Sequence, residues 1–216
     1  MDKKQIKELK ELYSSIENEI NKRIEEFKHV WEHGNEFDVF RELVFCILTP
    51  QSKAVMADRI IRNLKKKNLF FTDDQVLLSE ELNLVRFKNH KASYIIEARK
   101  YLTDDNGKIR IKNRINPEDL AATREWIVSN IKGIGFKEAS HFLRNIGFVE
   151  TLAILDRHIL KNLKLLDVID EIPKTISKQK YYEIEKKLTG FSKKVGIPVG
   201  HFDFVLWFKE TGFIFK

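Results

Sequence analysis

Apolar residues recur every three or four positions along most of this chain, and that period leaves helix as its main way to bury them. Ile6, Leu9, Leu12, Ile16, Ile20, Ile24, Phe27 and Trp31 form one stripe, which Gly34 closes. A second helix is expected over about 37–48. Thr49-Pro50-Gln51-Ser52 interrupts it, because a residue before proline disfavours the helical region. Further helices are expected over about 53–64 and 90–102, followed by a turn at Asp104-Asp105-Asn106-Gly107. Ile109 and Ile111 alternate with cations, which suits a very short strand or a loop equally well. Asn116, Pro117 and the acids after them read as the cap and first turn of a helix reaching about Asn130. Helices over about 136–145, 156–165, 177–188 and 200–211 complete the pattern, with Gly147 and Gly212 as terminators. The expected fold class is all-α.

Composition narrows the partners. The 216 residues, 43% hydrophobic and 33% charged, suffice for one domain or two small lobes with a core. The net charge of +7 favours polyanions, although 32 acidic residues also fit a generally charged surface. Cys46 is the only cysteine and lies in an apolar run. One cysteine excludes an internal disulfide, a cysteine zinc site and a four-cysteine iron–sulfur cluster, and fits a reducing compartment. The N-terminus lacks an apolar signal core, and no run approaches the roughly 18 apolar residues of a membrane span. A cytoplasmic protein with no membrane partner is expected.

The stretch Ile131-Lys132-Gly133-Ile134-Gly135-Phe136-Lys137 reads as a helix end, a glycine hairpin and a new helix start. Glycines uncover the backbone N–H groups, and the helix start adds partial positive charge. Such a turn can hold a phosphate without reading a base. A lone Gly-x-Gly is also compatible with a plain tight turn. At 100° per residue Lys137, Ser140, His141 and Arg144 share one face, with Phe136, Ala139, Leu143 and Ile146 opposite. Lys137 is therefore expected on the exposed side, at the hairpin's mouth, and Ile134 inward. Asp156 follows in Leu155-Asp156-Arg157-His158. Taken singly, Lys137 is an ordinary solvated lysine and Asp156 an ordinary helix cap.

Together these residues resemble the helix-hairpin-helix DNA glycosylases with a lysine nucleophile and an aspartate partner. Leu48-Thr49-Pro50-Gln51-Ser52 resembles the loop that fills the hole left by a flipped base. Arg86-Phe87-Lys88-Asn89-His90-Lys91-Ala92 resembles the segment before the family's mid-domain helix. The ending Trp207-Phe208-Lys209-Glu210-Thr211-Gly212-Phe213-Ile214-Phe215-Lys216 resembles the type-2 8-oxoguanine DNA glycosylases of archaea and some bacteria. Three departures stand out. The four-cysteine cluster usual in endonuclease III cannot form. Lys132 stands where many relatives have proline. The Gly/Pro-rich loop before Asp156 is reduced to Gly147-Phe148-Val149.

The resemblance implies two helical lobes, 35–149 and 1–34 with 150–216, with the active site in the cleft between them. Lys137 and Asp156 would be catalytic. Lys132, Gly133, Ile134, Gly135 and His158 would hold the DNA backbone. Gln51 would be the wedge, and Asp203, Trp207 and Lys216 would line the lesion pocket. The partner is damaged double-stranded DNA, bound by a monomer. No redox or organic cofactor and no metal ligand set is expected, while a monovalent cation suits the hairpin carbonyls.

The chemistry follows from the amine. In the chemistry that the resemblance implies, it would displace the base at the anomeric carbon and form an aldimine with the opened sugar, which would then lose the 3′ phosphate by β-elimination. A lysine ordinarily titrates near ~10.4, so the nucleophile needs a lowered pKa, from desolvation or from cations such as Arg144 or Lys132. Asp156 would stabilise positive charge on the sugar, or orient or deprotonate the attacking group. 8-Oxoguanine carries an N7–H donor where guanine has an acceptor, so a fixed acceptor rewards the lesion. Two other readings remain: a glycosylase/lyase for oxidised pyrimidines, and a helix-hairpin-helix DNA-binding module without activity. A helical protein–protein adaptor is a third class, and it predicts no salt-sensitive DNA binding.

Overall fold

The computed structural model describes residues 3–216. It contains the helices α1 (Lys3–Glu32), α2 (Glu36–Leu48), α3 (Ala54–Lys66), α4 (Gln75–Glu81), α5 (Lys88–Leu102), α6 (Leu120–Asn130), α7 (Phe136–Asn145), α8 (Arg157–Leu165), α9 (Lys178–Val195) and α10 (Phe202–Thr211). Among the described residues no strand forms, and Ile109 makes an isolated antiparallel bridge with Thr103. The chain divides into two compact units, Met1–Lys28 with Gly147–Lys216, and His29–Ile146. No described helix is long and apolar enough to cross a membrane.

In the first unit the α1 stripe is buried at Leu9, Ile16, Ile20, Ile24 and Phe27. Phe27 stacks on Phe204 of α10, ring centroids 6.2 Å apart. Residues 152–155 are buried and pinned to α9 by polar contacts. Glu185 Oε1 accepts from Ala153 N–H at 2.8 Å, and Tyr181 donates to Ala153 O at 2.6 Å. This anchored segment delivers Asp156 to the start of α8. α9 continues to Val195 straight through Gly190, past the expected end near Leu188, because the turn after Gly190 still buries Phe191 and Val195.

The second unit packs α2 to α7 around Phe40, Leu43, Phe45, Ile60, Leu64 and Phe142, all nearly inaccessible. Each such side chain stabilises the fold by roughly 1.5–3 kcal/mol on area grounds. Two elements differ from expectation. α4 carried no clear periodic signal, since Val76 and Leu77 are exposed; its start is set by Asp74, whose carboxylate accepts from Val76 and Leu77 N–H. α6 starts at Leu120 and not near Pro117. Asn116 Oδ1 is engaged by Glu118 N–H in a local turn, and Asp119 is the cap, accepting from Ala122 N–H at 2.9 Å.

Candidate active site

The hairpin in the second unit is built by a change of backbone hand. α6 ends with Ile131 N–H donating to Ile127 O. Gly133 then takes φ +81, and Tyr94 of α5 lies so close that a Cβ there would sit 2.5 Å from its ring. Only glycine meets both conditions. Ile134 is buried, and Gly135 is the N-cap of α7. Glu138 closes the turn by accepting from Gly135 N–H at 3.3 Å.

Lys137 occupies the first turn of α7. Its side chain is 26% exposed, and Nζ lies 3.7 Å from Glu138 Oε1. It therefore stands half-buried, not on an open helix face. The face expected to be exposed is covered: Ser140, His141 and Arg144 are all buried. α2 and α6 enclose this side and bring their own polar groups. Arg124, itself fully buried, donates to Ser140 Oγ at 3.1 Å and lies over Phe136. Asn145 donates to Glu42, and Phe45 meets His141 edge-on at 5.6 Å. Helical periodicity marks cationic residues as outward, yet buried polar partners let them turn inward.

In the first unit Asp156 is the N-cap of α8 and accepts from Ile159 N–H at 2.8 Å. His158 stands edge-on to Trp207 at 5.4 Å, and its Nδ1 is 3.8 Å from Glu210. Trp207 is half-buried, and its indole N–H is buried with no acceptor among the described residues. Asp203 lies one turn earlier on α10, half-buried, and Lys216 is also half-buried. Among the described residues no group of three or more His, Cys, Asp and Glu side chains is placed to hold a metal ion. Burial pushes the Cys46 thiol well up, as suits an inert core residue.

Residues 20–197 match the family described as Ogg-HhH, 8-oxoguanine DNA glycosylase. The chain belongs to this family. An 8-oxoguanine DNA glycosylase/AP lyase of Fusobacterium nucleatum is 50% identical over 210 residues, spanning 97% of this chain and 96% of its own. The crystal structure of the Thermotoga maritima 8-oxoguanine DNA glycosylase superposes with a TM-score of 0.86 at 38% identity, covering 99% of both chains. The Methanocaldococcus jannaschii 8-oxoguanine glycosylase/lyase, solved with a 15mer DNA containing 8-oxoguanine, gives 0.86 at 40% identity, covering 98% and 99%.

In this member of the 8-oxoguanine DNA glycosylase family, the structure adds partners to the residues named from the sequence, Glu97 for Lys132 and Lys91 for the turn at Gln51. Lys132 is ion-paired to Glu97 at 2.6 Å, and Ser93 also donates to that carboxylate. The Lys132 bond, then Ser93, holds the Glu97 carboxyl below its usual range, and Glu97 in turn raises the Lys132 ammonium. Gln51 is exposed with φ +53, a strained conformation for a residue with a side chain. Phe87 has φ +58 and is 50% exposed, with the Arg86 guanidinium 5.3 Å from its ring. Lys91 is buried, and its ammonium donates to Pro50 O and Ser52 Oγ on either side of Gln51. A cavity of about 290 Å³, lined by Ile47, Pro50, Phe87, His90, Lys91, Tyr94 and Gly133, joins this loop to the hairpin. The signal available in the sequence was a lysine in an otherwise apolar position of α5.

Proposed function

We propose that the protein excises 8-oxoguanine from double-stranded DNA as a monomer and then cleaves the strand at the resulting abasic site. Its family membership and the relatives named as 8-oxoguanine DNA glycosylase/AP lyases support the substrate and both steps. The single observation that carries the mechanism is the half-buried Lys137 in the first turn of α7, directly behind the glycine hairpin.

Lys137 Nζ attacks the sugar's anomeric carbon, and the bond to the base breaks with its electron pair leaving on the base. The attached amine gives up one proton, which the departing base takes, and the C1′–O4′ bond then breaks to leave a protonated aldimine while the ring oxygen takes a proton from water. That nitrogen withdraws electrons, so a proton is lost from the adjacent carbon and the 3′ phosphate departs. Asp156 is assigned to stabilise the positive charge that grows on the sugar. Gly133, Ile134 and Gly135 grip a backbone phosphate through main-chain N–H groups, that of Gly135 exchanging its Glu138 carboxylate for the phosphate, assisted by Lys132 and His158. A monovalent cation on the hairpin carbonyls would aid that grip. No redox or organic cofactor enters these steps. Gln51 fills the space left by the extruded base. Asp203, Trp207 and Lys216 receive the lesion, the indole N–H of Trp207, which has no acceptor among the described residues, offering a donor.

Borohydride trapping on a duplex with one 8-oxoguanine tests this. Wild type is expected to give a covalent protein–DNA band and Lys137→Gln none. A band only with an oxidised-pyrimidine duplex would change the substrate, and no band with any duplex would refute the lyase.

A further inference from the structure

Lys91 is buried in the first turn of α5, only 4% exposed. Burial of a lysine ammonium is costly unless every proton is engaged. Here all three are. Nζ donates to Leu48 O at 2.7 Å, Pro50 O at 2.9 Å and Ser52 Oγ at 3.0 Å. Leu48 is the last residue of α2, so the cation also sits at the negative end of that helix. Pro50 and Ser52 flank Gln51, whose left-handed conformation needs support from outside. Ser52 Oγ further accepts from Arg86 N–H at 3.1 Å, which ties Phe87 into the same assembly.

We infer that Lys91 is a positioning residue: its three hydrogen bonds hold the Pro50–Ser52 turn so that Gln51 is presented to the duplex, and they thereby set how readily the lesion is extruded. This rests on the proposed wedge role of Gln51. Burial draws the Lys91 pKa down to about 8, with the Glu138 carboxylate opposing that shift. The amine therefore remains largely charged at neutral pH.

The test is single-turnover kinetics of Lys91→Met, Ser52→Ala, Gln51→Ala and the Lys91→Met/Gln51→Ala pair. Each is assayed on an 8-oxoguanine duplex and on a duplex with a preformed abasic site, where no base has to be unstacked. A fluorescent purine analogue beside the lesion reports extrusion. Lys91→Met is expected to slow 8-oxoguanine excision about a hundredfold through misplacement of the turn. Abasic-site cleavage should stay within about threefold, and in the Gln51→Ala background Lys91→Met should add less than about threefold. Ser52→Ala, which removes one acceptor, should lose about tenfold in excision and carries the test if Lys91→Met does not fold. Equal losses on both duplexes, or a full extra loss in the double variant, would reduce Lys91 to general support. A slow Gln51→Ala with an unimpaired Lys91→Met would overturn this inference alone. Wild-type excision by Gln51→Ala would overturn the wedge reading and this inference with it.

Discussion

Asp156 combines two tasks that substitution can separate. Its carboxylate accepts from Ile159 N–H and so caps α8, while its proposed catalytic task needs the negative charge. Asparagine keeps the cap and loses the charge; alanine loses both. Asp156→Asn should therefore unfold within about 0.5 kcal/mol of wild type yet excise about 10²–10³-fold more slowly. Asp156→Ala should be equally slow and about 1 kcal/mol less stable. Urea denaturation beside single-turnover kinetics checks both, and an active Asp156→Asn would leave this residue as a cap only. At this scale the sequence was readable wherever neighbours in the chain make the site. The hairpin at Gly133 and Gly135, the place of Lys137 in the first turn of α7 and the cap at Asp156 needed nothing distant. Tyr94 against Gly133, Glu97 on Lys132 and Lys91 on the Gln51 turn each join residues tens of positions apart, and no local pattern encodes such pairs.

Among elements, α7 shows where periodicity informs and where it misleads. Its bounds were legible from Gly135 and Gly147, because glycine marks both ends of helices. Its environment was not, because Ser140, His141 and Arg144 read as an outer face, whereas all three are buried, with Arg124 of α6 donating to Ser140 and Glu42 of α2 accepting from the adjoining Asn145. α5 holds a similar surprise in Lys91, with a consequence for pH. The folded-state pKa is about 8, whereas an unfolded lysine titrates near ~10.4. Below pH 8 both states hold the proton and the full cost of burying the charge is present. Between about 8 and 10.4 the unfolded chain binds more protons, so this residue makes stability rise with pH, by at most about 1.4 kcal/mol per pH unit. Lys91→Met lacks that rise. The stability of wild type minus that of Lys91→Met should therefore increase between pH 7 and pH 10, as urea titrations at both pH values would show. A constant difference would mean that Lys91 is not the buried cation described here.

For the whole molecule, the all-α class was legible because the three-to-four-residue period persists from Ile6 to the last helix, with breaks at Pro50, Gly107 and Gly147. The charge of +7 pointed to a polyanion but not to where phosphate is held. The structure adds that not every cation stands ready: Lys132, beside the hairpin, is already paired to Glu97. DNA binding to a cationic surface releases counterions, and each neutralised phosphate contributes about −0.9 to the slope of log K against log salt. If Lys132 exchanges Glu97 for a phosphate, wild type must break the ion pair as it binds. Glu97→Gln frees the ammonium and removes a nearby negative charge. It should bind an 8-oxoguanine duplex more tightly at low salt and steepen the slope by up to about 0.9. Lys132→Gln should weaken binding and flatten the slope by a similar amount. Fluorescence anisotropy between low and physiological salt, with Lys137→Gln as the background to prevent turnover, measures both. Unchanged slopes in the two variants would show that Lys132 meets no phosphate and that the hairpin grips DNA through its backbone N–H groups alone.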